Sequence, residues 1–219
     1  MVYADLRSEL SSLALSLTTE QLGVKVPQSP EWSVQDTVAH VVGIVDDILN
    51  QRVDGLGTDP WTATQVNKRS GHSIDEIVAE WAASAEAIDA VTSETPFMGV
   101  RLGADLVTHL HDVAGAVGAT ADQFSAGIRI GLERYGPFFC ERAAAAELPP
   151  IRIVAGFQTW QSAAGEPAVT LTGSAFELLR AFSGRRSLNQ VRAMDWTGDS
   201  EPYLAVITPY GLPTDNIIE

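Results

Sequence analysis

Through roughly the first 120 residues, apolar side chains return every three or four positions, the period of a helix packed along one side. Val2, Leu6, Leu10, Leu13, Ala14 and Leu17 share such a face and predict a helix over 2–17. Residues 18–23 read as its stop, and 24–32, with Pro27 and Pro30, as an irregular loop. Ser33 then stands as an N-cap, with Asp36 three residues on in the capping-box position. This opens a second helix to about residue 50, with Val34, Val38, Val41, Ile44, Val45 and Ile48 on its apolar arc. Residues 51–72 are rich in Gly, Thr, Asn and Asp and predict a long crossover with one short helical turn near 63–68. Ser73 and Glu76 form a second capping box, starting a third helix to about residue 91. Thr95-Pro96 breaks the chain before a fourth helix over 101–117, closed by Gly118. A further helix-like segment begins at 120–123 and continues past Gly136-Pro137 to about 147.

Beyond Pro149-Pro150 the period changes. Ile151-Arg152-Ile153-Val154 and residues 168–172 read as strands separated by a turn at 164–167. Residues 173–182 read as a helix and 204–208 as a last strand. The expected fold class is therefore α+β: an antiparallel four-helix bundle over 1–148, followed by a small α/β domain over 149–219.

The fourth helix departs from a plain amphipathic pattern. Residues 103–114 are mostly aliphatic, yet they carry Asp105, His109, His111 and Asp112. Asp105 and His109 lie one turn apart, about 40° from each other around the helix, and Asp112 is within roughly 20° of Asp105. His111 points about 120° away and is expected at a surface or interface. On the second helix, His40 lies about 40° from Ile44, on the side of Asp36 and Asp47, where it is partly buried and faces a neighbour. A bundle with one long crossover can bring the second helix beside the fourth, so that His40 meets Asp105 and His109. Two imidazoles and one carboxylate suit a catalytic zinc with an open fourth position, and also nickel or ferrous iron. Asp112 fits behind them as an acceptor orienting His109. The plainer alternative makes Asp105 an exposed helix acid and His109 a core histidine bonded to a carbonyl. His72, in the loop before a capping box, reads as solvated.

Composition narrows the partners. The chain has 219 residues, 45% hydrophobic and 19% charged, which supports a packed core. A formal net charge of −14 argues against nucleic acid and anionic membranes, since both call for a basic surface. One cysteine excludes an intrachain disulfide, and its apolar setting, Phe138-Phe139-Cys140, predicts a buried, unreactive thiol. The N-terminal stretch lacks the pattern of a signal peptide, and no apolar run approaches a membrane span, so a soluble cytoplasmic protein is expected. There is no serine nucleophile elbow, glycine-rich phosphate loop or Cys-x-x-Cys. Arg185 and Arg186 can hold a ligand carboxylate, although at a helix end they more commonly complement the dipole.

The run from Trp32 to His40, Trp-Ser-Val-Gln-Asp-Thr-Val-Ala-His, resembles the Trp-Ser-x-x-Asp-x-x-x-His helix start of the mycothiol-dependent maleylpyruvate isomerase family. The stretch from Asp105 to Asp112 resembles that family's Glu-x-x-x-His-x-Trp-Asp helix. Residues 169–179, followed by Ser183-Gly184-Arg185-Arg186, resemble its small sterol-carrier-like tail domain. The resemblance implies a DinB-like bundle, a divalent metal, usually zinc, on His40, Asp105 and His109, mycothiol as cosubstrate, and an actinobacterial cytoplasm. It further implies thiol-transfer or isomerase chemistry on a small electrophile. Addition of the thiol to a cis enedione-like acid makes a carbon–carbon bond single, rotation follows, and elimination regenerates the thiol. No protein nucleophile is needed for this, in keeping with the motifs that are missing. Two positions depart from the family pattern: its glutamate is Asp105 here, one methylene shorter, and its tryptophan is His111. Two other readings stand beside this one: a non-catalytic small-molecule-binding protein with a vestigial metal site, and a metal-dependent hydrolase. A monomer or homodimer acting on a small molecule is expected.

Overall fold

The computed structural model describes residues 2–219; residue 1 of the first expected domain lies outside the described residues. The first unit comprises α1 (Val2–Ser16), α2 (Thr19–Leu22), β1 (Lys25–Val26), β2 (Ser29–Ser33), α3 (Val34–Leu49), α4 (Asp59–Arg69), α5 (Ile74–Ala83), α6 (Ala85–Glu94) and α7 (Pro96–Val117). α1 packs on α7, α5 and α6, and α3 packs on α5, α6 and α7. The core is the apolar stripe of each helix: Leu6 and Leu10 from α1, Val38 and Val45 from α3, Ile77 and Trp81 from α5, Ile88 from α6, and Leu106, Leu110 and Val113 from α7. β1 and β2 form a short antiparallel ladder that leads into α3.

Three helices differ from the expectation for local reasons. The third expected helix is two, because the Ser84 hydroxyl bonds the Trp81 carbonyl at 2.9 Å and turns the chain between α5 and α6. Ile77, Trp81 and Ile88 are nevertheless fully buried, so the two pieces serve as one bundle member. α7 begins at Pro96 rather than near 101, since a proline in the first turn gives up only an amide that no helix carbonyl would have accepted. The crossover holds an eleven-residue helix, α4, that lies against α3 and buries Gln65 and Arg69.

The second unit comprises α8 (Ala126–Ala145), β3 (Ile151–Ala155), β4 (Gln158–Gln161), β5 (Val169–Thr172), α9 (Ala175–Phe182), α10 (Leu188–Arg192), β6 (Asp195–Thr197) and α11 (Glu201–Leu204). The two compact units meet in sequence between Ala121 and Asp122, not at 148/149. The reason is α8, which packs on α9, β3 and β4. The Phe139 and Phe182 rings lie 5.0 Å apart across the α8–α9 contact. Gly136 lets the Trp160 ring of β4 approach the helix, since a Cβ there would stand 2.7 Å from Trp160 Cδ2. α8 itself starts at Ala126, later than expected. Asp122 accepts from the Phe124 amide in a turn, and Ser125 then caps the helix.

The sheet order is β4-β3-β5-β6, with β3 parallel to β5 and the outer pairs antiparallel. β4, which is absent from the sequence reading, returns from β3 through a two-residue turn at Gly156-Phe157. The strand expected at 204–208 does not form. Arg142 of α8 donates to the Val206 and Thr208 carbonyls at 2.9 and 3.0 Å, so this segment satisfies its backbone through an arginine rather than a ladder. No helix among the described residues is long and apolar enough to cross a membrane.

Candidate metal centre

The Ser33 capping box sets the phase of α3. Ser33 Oγ accepts from the Asp36 amide at 3.1 Å, and Asp36 Oδ2 accepts from the Ser33 amide at 2.8 Å. Two turns further, His40 projects toward α7 and is 4% exposed. The Trp32 ring, just ahead of the cap, covers it at a centroid distance of 4.7 Å. The His109 ring meets it edge-on at 5.1 Å and 83°.

On α7, one turn separates Asp105 from His109, and Asp105 Oδ1 lies 3.8 Å from His109 Nε2. The shorter arm of aspartate therefore still brings its carboxylate to the imidazole. His109 Nδ1 donates to Asp112 Oδ2 at 3.1 Å, and Asp112 is fully buried. That bond turns His109 Nε2 toward Asp105. From Leu102 to Ala114 every residue of α7 is buried except Asp105, whose side chain is 34% exposed. The site thus opens to solvent beside Asp105.

His40, Asp105 and His109 each offer one ligand atom, and these atoms all lie within 4.8 Å of one another. Around a tetrahedral zinc, ligand atoms stand roughly 3.3 Å apart. The donor chemistry fits a divalent cation: two imidazoles and a carboxylate.

One residue of this region was not visible in the sequence. Gln65, on α4 and 2% exposed, meets His40 Nδ1 through Oε1 at 2.7 Å. Its amide nitrogen donates to Asp47 Oδ2 at 2.9 Å, and Asp47 Oδ1 accepts from Arg52 Nε at 2.9 Å. Gln65 sits in a polar, Thr- and Asn-rich crossover with no periodic signal, and only the packing of α4 on α3 reveals it. Beyond it, burial opposes ionisation of Asp46, but hydrogen bonds from Lys68 and Arg52, with their charges, hold its carboxyl at about 2. Arg69, buried beside Gln65, pairs with Glu80.

The remaining candidates lie elsewhere. His111 is 5% exposed, not at the surface: α7 is covered by α1, α3 and α6, so the side turned away from the site is also interior. His72 is exposed, and its carbonyl accepts from Gln35 Nε2 at 3.0 Å. In the second unit, Arg186 is buried and bonds Glu177 through Nε and Nη2, both at 2.8 Å. Arg185 Nη1 donates to the Ser183 carbonyl at the end of α9 at 2.6 Å. Cys140 is buried, and burial pushes its thiol up to about 11.

Residues 3–122 match the family model of the DinB superfamily, and the chain belongs to that superfamily. In fold the chain is similar to the crystal structure of the mycothiol-dependent maleylpyruvate isomerase. The TM-score is 0.53 at 14% identity, over 84% of this chain and 87% of that one. A histidine-to-alanine mutant of the same enzyme gives a TM-score of 0.52 at 13% identity over the same shares. At these identities the likeness is one of fold. No curated protein matches the sequence.

Proposed function

We propose that this protein is a metal-dependent enzyme that uses a low-molecular-weight thiol, mycothiol, in isomerase or S-transferase chemistry on a small electrophile. One observation carries the reading: His40, Asp105 and His109, from two helices, bring three ligand atoms within 4.8 Å of one another. In this reading they hold the metal, zinc foremost. Asp112 would orient His109, and a small molecule would reach the group beside Asp105, the part-exposed member of the three. The fold shared with a mycothiol-dependent isomerase supports the choice of thiol.

A divalent cation held here would supply Lewis acidity and lower the pKa of a bound thiol. The chain's own residues have simpler tasks. Trp32 covers His40 and limits the access of water from that side. The aliphatic residues of α7 keep the surroundings of low polarity, so that charge on the reacting sulfur is felt strongly. No side chain serves as nucleophile, and Cys140, buried and held protonated, is not a competing thiol.

The test combines metal analysis of purified protein with turnover of maleylpyruvate in the presence and absence of mycothiol. About one divalent ion per chain and strictly thiol-dependent turnover are expected. Hydrolysis of esters or amides without thiol would move the assignment to a metal-dependent hydrolase. Failure to take up zinc, nickel or iron under supplementation would leave a non-catalytic binding protein.

A further inference from the structure

The Gln65 side chain ties the crossover between α3 and α5 to the candidate centre. Gln65 spans two groups on the same face of α3, His40 and Asp47, two turns apart. Its orientation is set chemically, because only the amide NH2 can donate to the Asp47 carboxylate, as it does at 2.9 Å. The amide oxygen must then face His40, and the 2.7 Å contact requires His40 Nδ1 to carry the proton. Asp47 is in turn held by Arg52 at 2.9 Å, so the amide cannot turn over without breaking two hydrogen bonds.

Space for this arrangement comes from Gly43, one turn beyond His40 and one before Asp47. A Cβ at Gly43 would lie 2.4 Å from Gln65 Cβ, 2.7 Å from its Cγ and 2.9 Å from Arg69 Nη1. Any larger residue would push α4 off α3 and withdraw the amide from His40. On α7, the bond from His109 Nδ1 to Asp112 plays the corresponding part. Each imidazole is thus held through Nδ1 by a buried acceptor, one a carboxylate and the other an amide.

We propose that Gln65 is a positioning residue: it fixes His40 in the tautomer protonated on Nδ1, so that Nε2 is the nitrogen presented to a metal. The inference rests on the reading of His40 as a ligand. It assigns the crossover helix a definite task, delivering an orienting group to His40.

The test uses the full chain without metal, followed by titration with zinc alone. Long-range proton–nitrogen NMR at pH 8 reads the His40 tautomer, assigned by the signal lost in His40→Gln. Wild type is expected to be protonated on Nδ1. Gln65→Leu should populate the other tautomer, and Gln65→Glu combined with Asp47→Asn, which keeps an acceptor toward His40 and a donor–acceptor pair with position 47, should retain the first. Zinc affinity measured against a chromophoric chelator should fall about 10–100-fold in Gln65→Leu. It should recover in part in the Gln65→Glu, Asp47→Asn double variant, with thermal melts of the metal-free proteins recording any general loss of structure. A wild-type His40 protonated on Nε2 would overturn the proposal and needs no variant to observe. So would an unchanged tautomer with zinc affinity within about threefold in Gln65→Leu. If the tautomer responds while no variant or wild type binds metal, Gln65 orients His40 and the metal-enzyme reading fails. If zinc binds but the tautomer ignores Gln65, only this inference fails.

Discussion

Two polar clusters, one in each unit, are built on opposite principles. In the second unit Arg186 meets Glu177 through two parallel hydrogen bonds, and its remaining Nη1 donates to the Arg185 carbonyl at 2.8 Å. Donor faces acceptor at each of these contacts, and the pair holds the Glu177 carboxyl below its ordinary range. In the first unit Asp105 and His109 bring lone pairs toward the same point as His40. Each imidazole there turns its Nδ1 outward, to Gln65 or to Asp112. A donor–acceptor pair completes itself and stabilises the fold. Ligand atoms from two helices gathered around one point form the arrangement suited to holding a cation.

Substitutions can break this contrast at several levels. The largest effect is expected for His109→Ala, which should reduce metal content from about one ion per chain to below about a tenth. His111→Ala should keep the ion and only lower the melting temperature, since its side chain is buried on the other side of the same helix. Elemental analysis beside thermal melts separates the two, and equal metal loss would contradict the helical phase assigned to α7. Arg186→Met should do the reverse. It removes the partner of a half-exposed carboxylate and is expected to cost about 1–2 kcal/mol in denaturant titrations, with zinc affinity unchanged. A change in zinc affinity there would mean that the two clusters are not separate in function. The smallest effect concerns Asp46 at the α3–α4 junction. Its folded value of about 2 lies below the ordinary 3.8, so its stabilisation is present above about 4 and is lost as pH falls toward 2. Melting curves of wild type and Asp46→Asn should differ at neutral pH and converge over that acid window. A constant gap down to pH 2 would show that the carboxylate's charge does not contribute.

Much of the candidate site was readable from spacing. Asp105, His109 and Asp112 share a face because a helix turns by about 100° per residue, and no tertiary information is needed to see it. His40 followed from the capping box that sets the phase of α3. Gln65 could not be read in this way, because its role depends on where a polar crossover helix docks, and its neighbours carry no period that points inward. His111 was misplaced for a related reason. Angular position says which side of a helix a residue occupies, but α7 is covered on several sides, so the side opposite the site is interior as well. The 204–208 segment has strand-like composition, yet Arg142 takes its carbonyls.

What the sequence determined by itself is local: the capped helix starts, the acid–His–acid stripe, the change of period after Pro149-Pro150, and the lack of a nucleophile motif. These depend on interactions within a few residues, and the chain carries them wherever it folds. Only the tertiary structure decided which unit owns α8, that α4 delivers Gln65 through the space left by Gly43, and that Asp105 is where the centre meets solvent. Those outcomes depend on which surfaces bury one another, a competition among distant segments that no short window of residues contains.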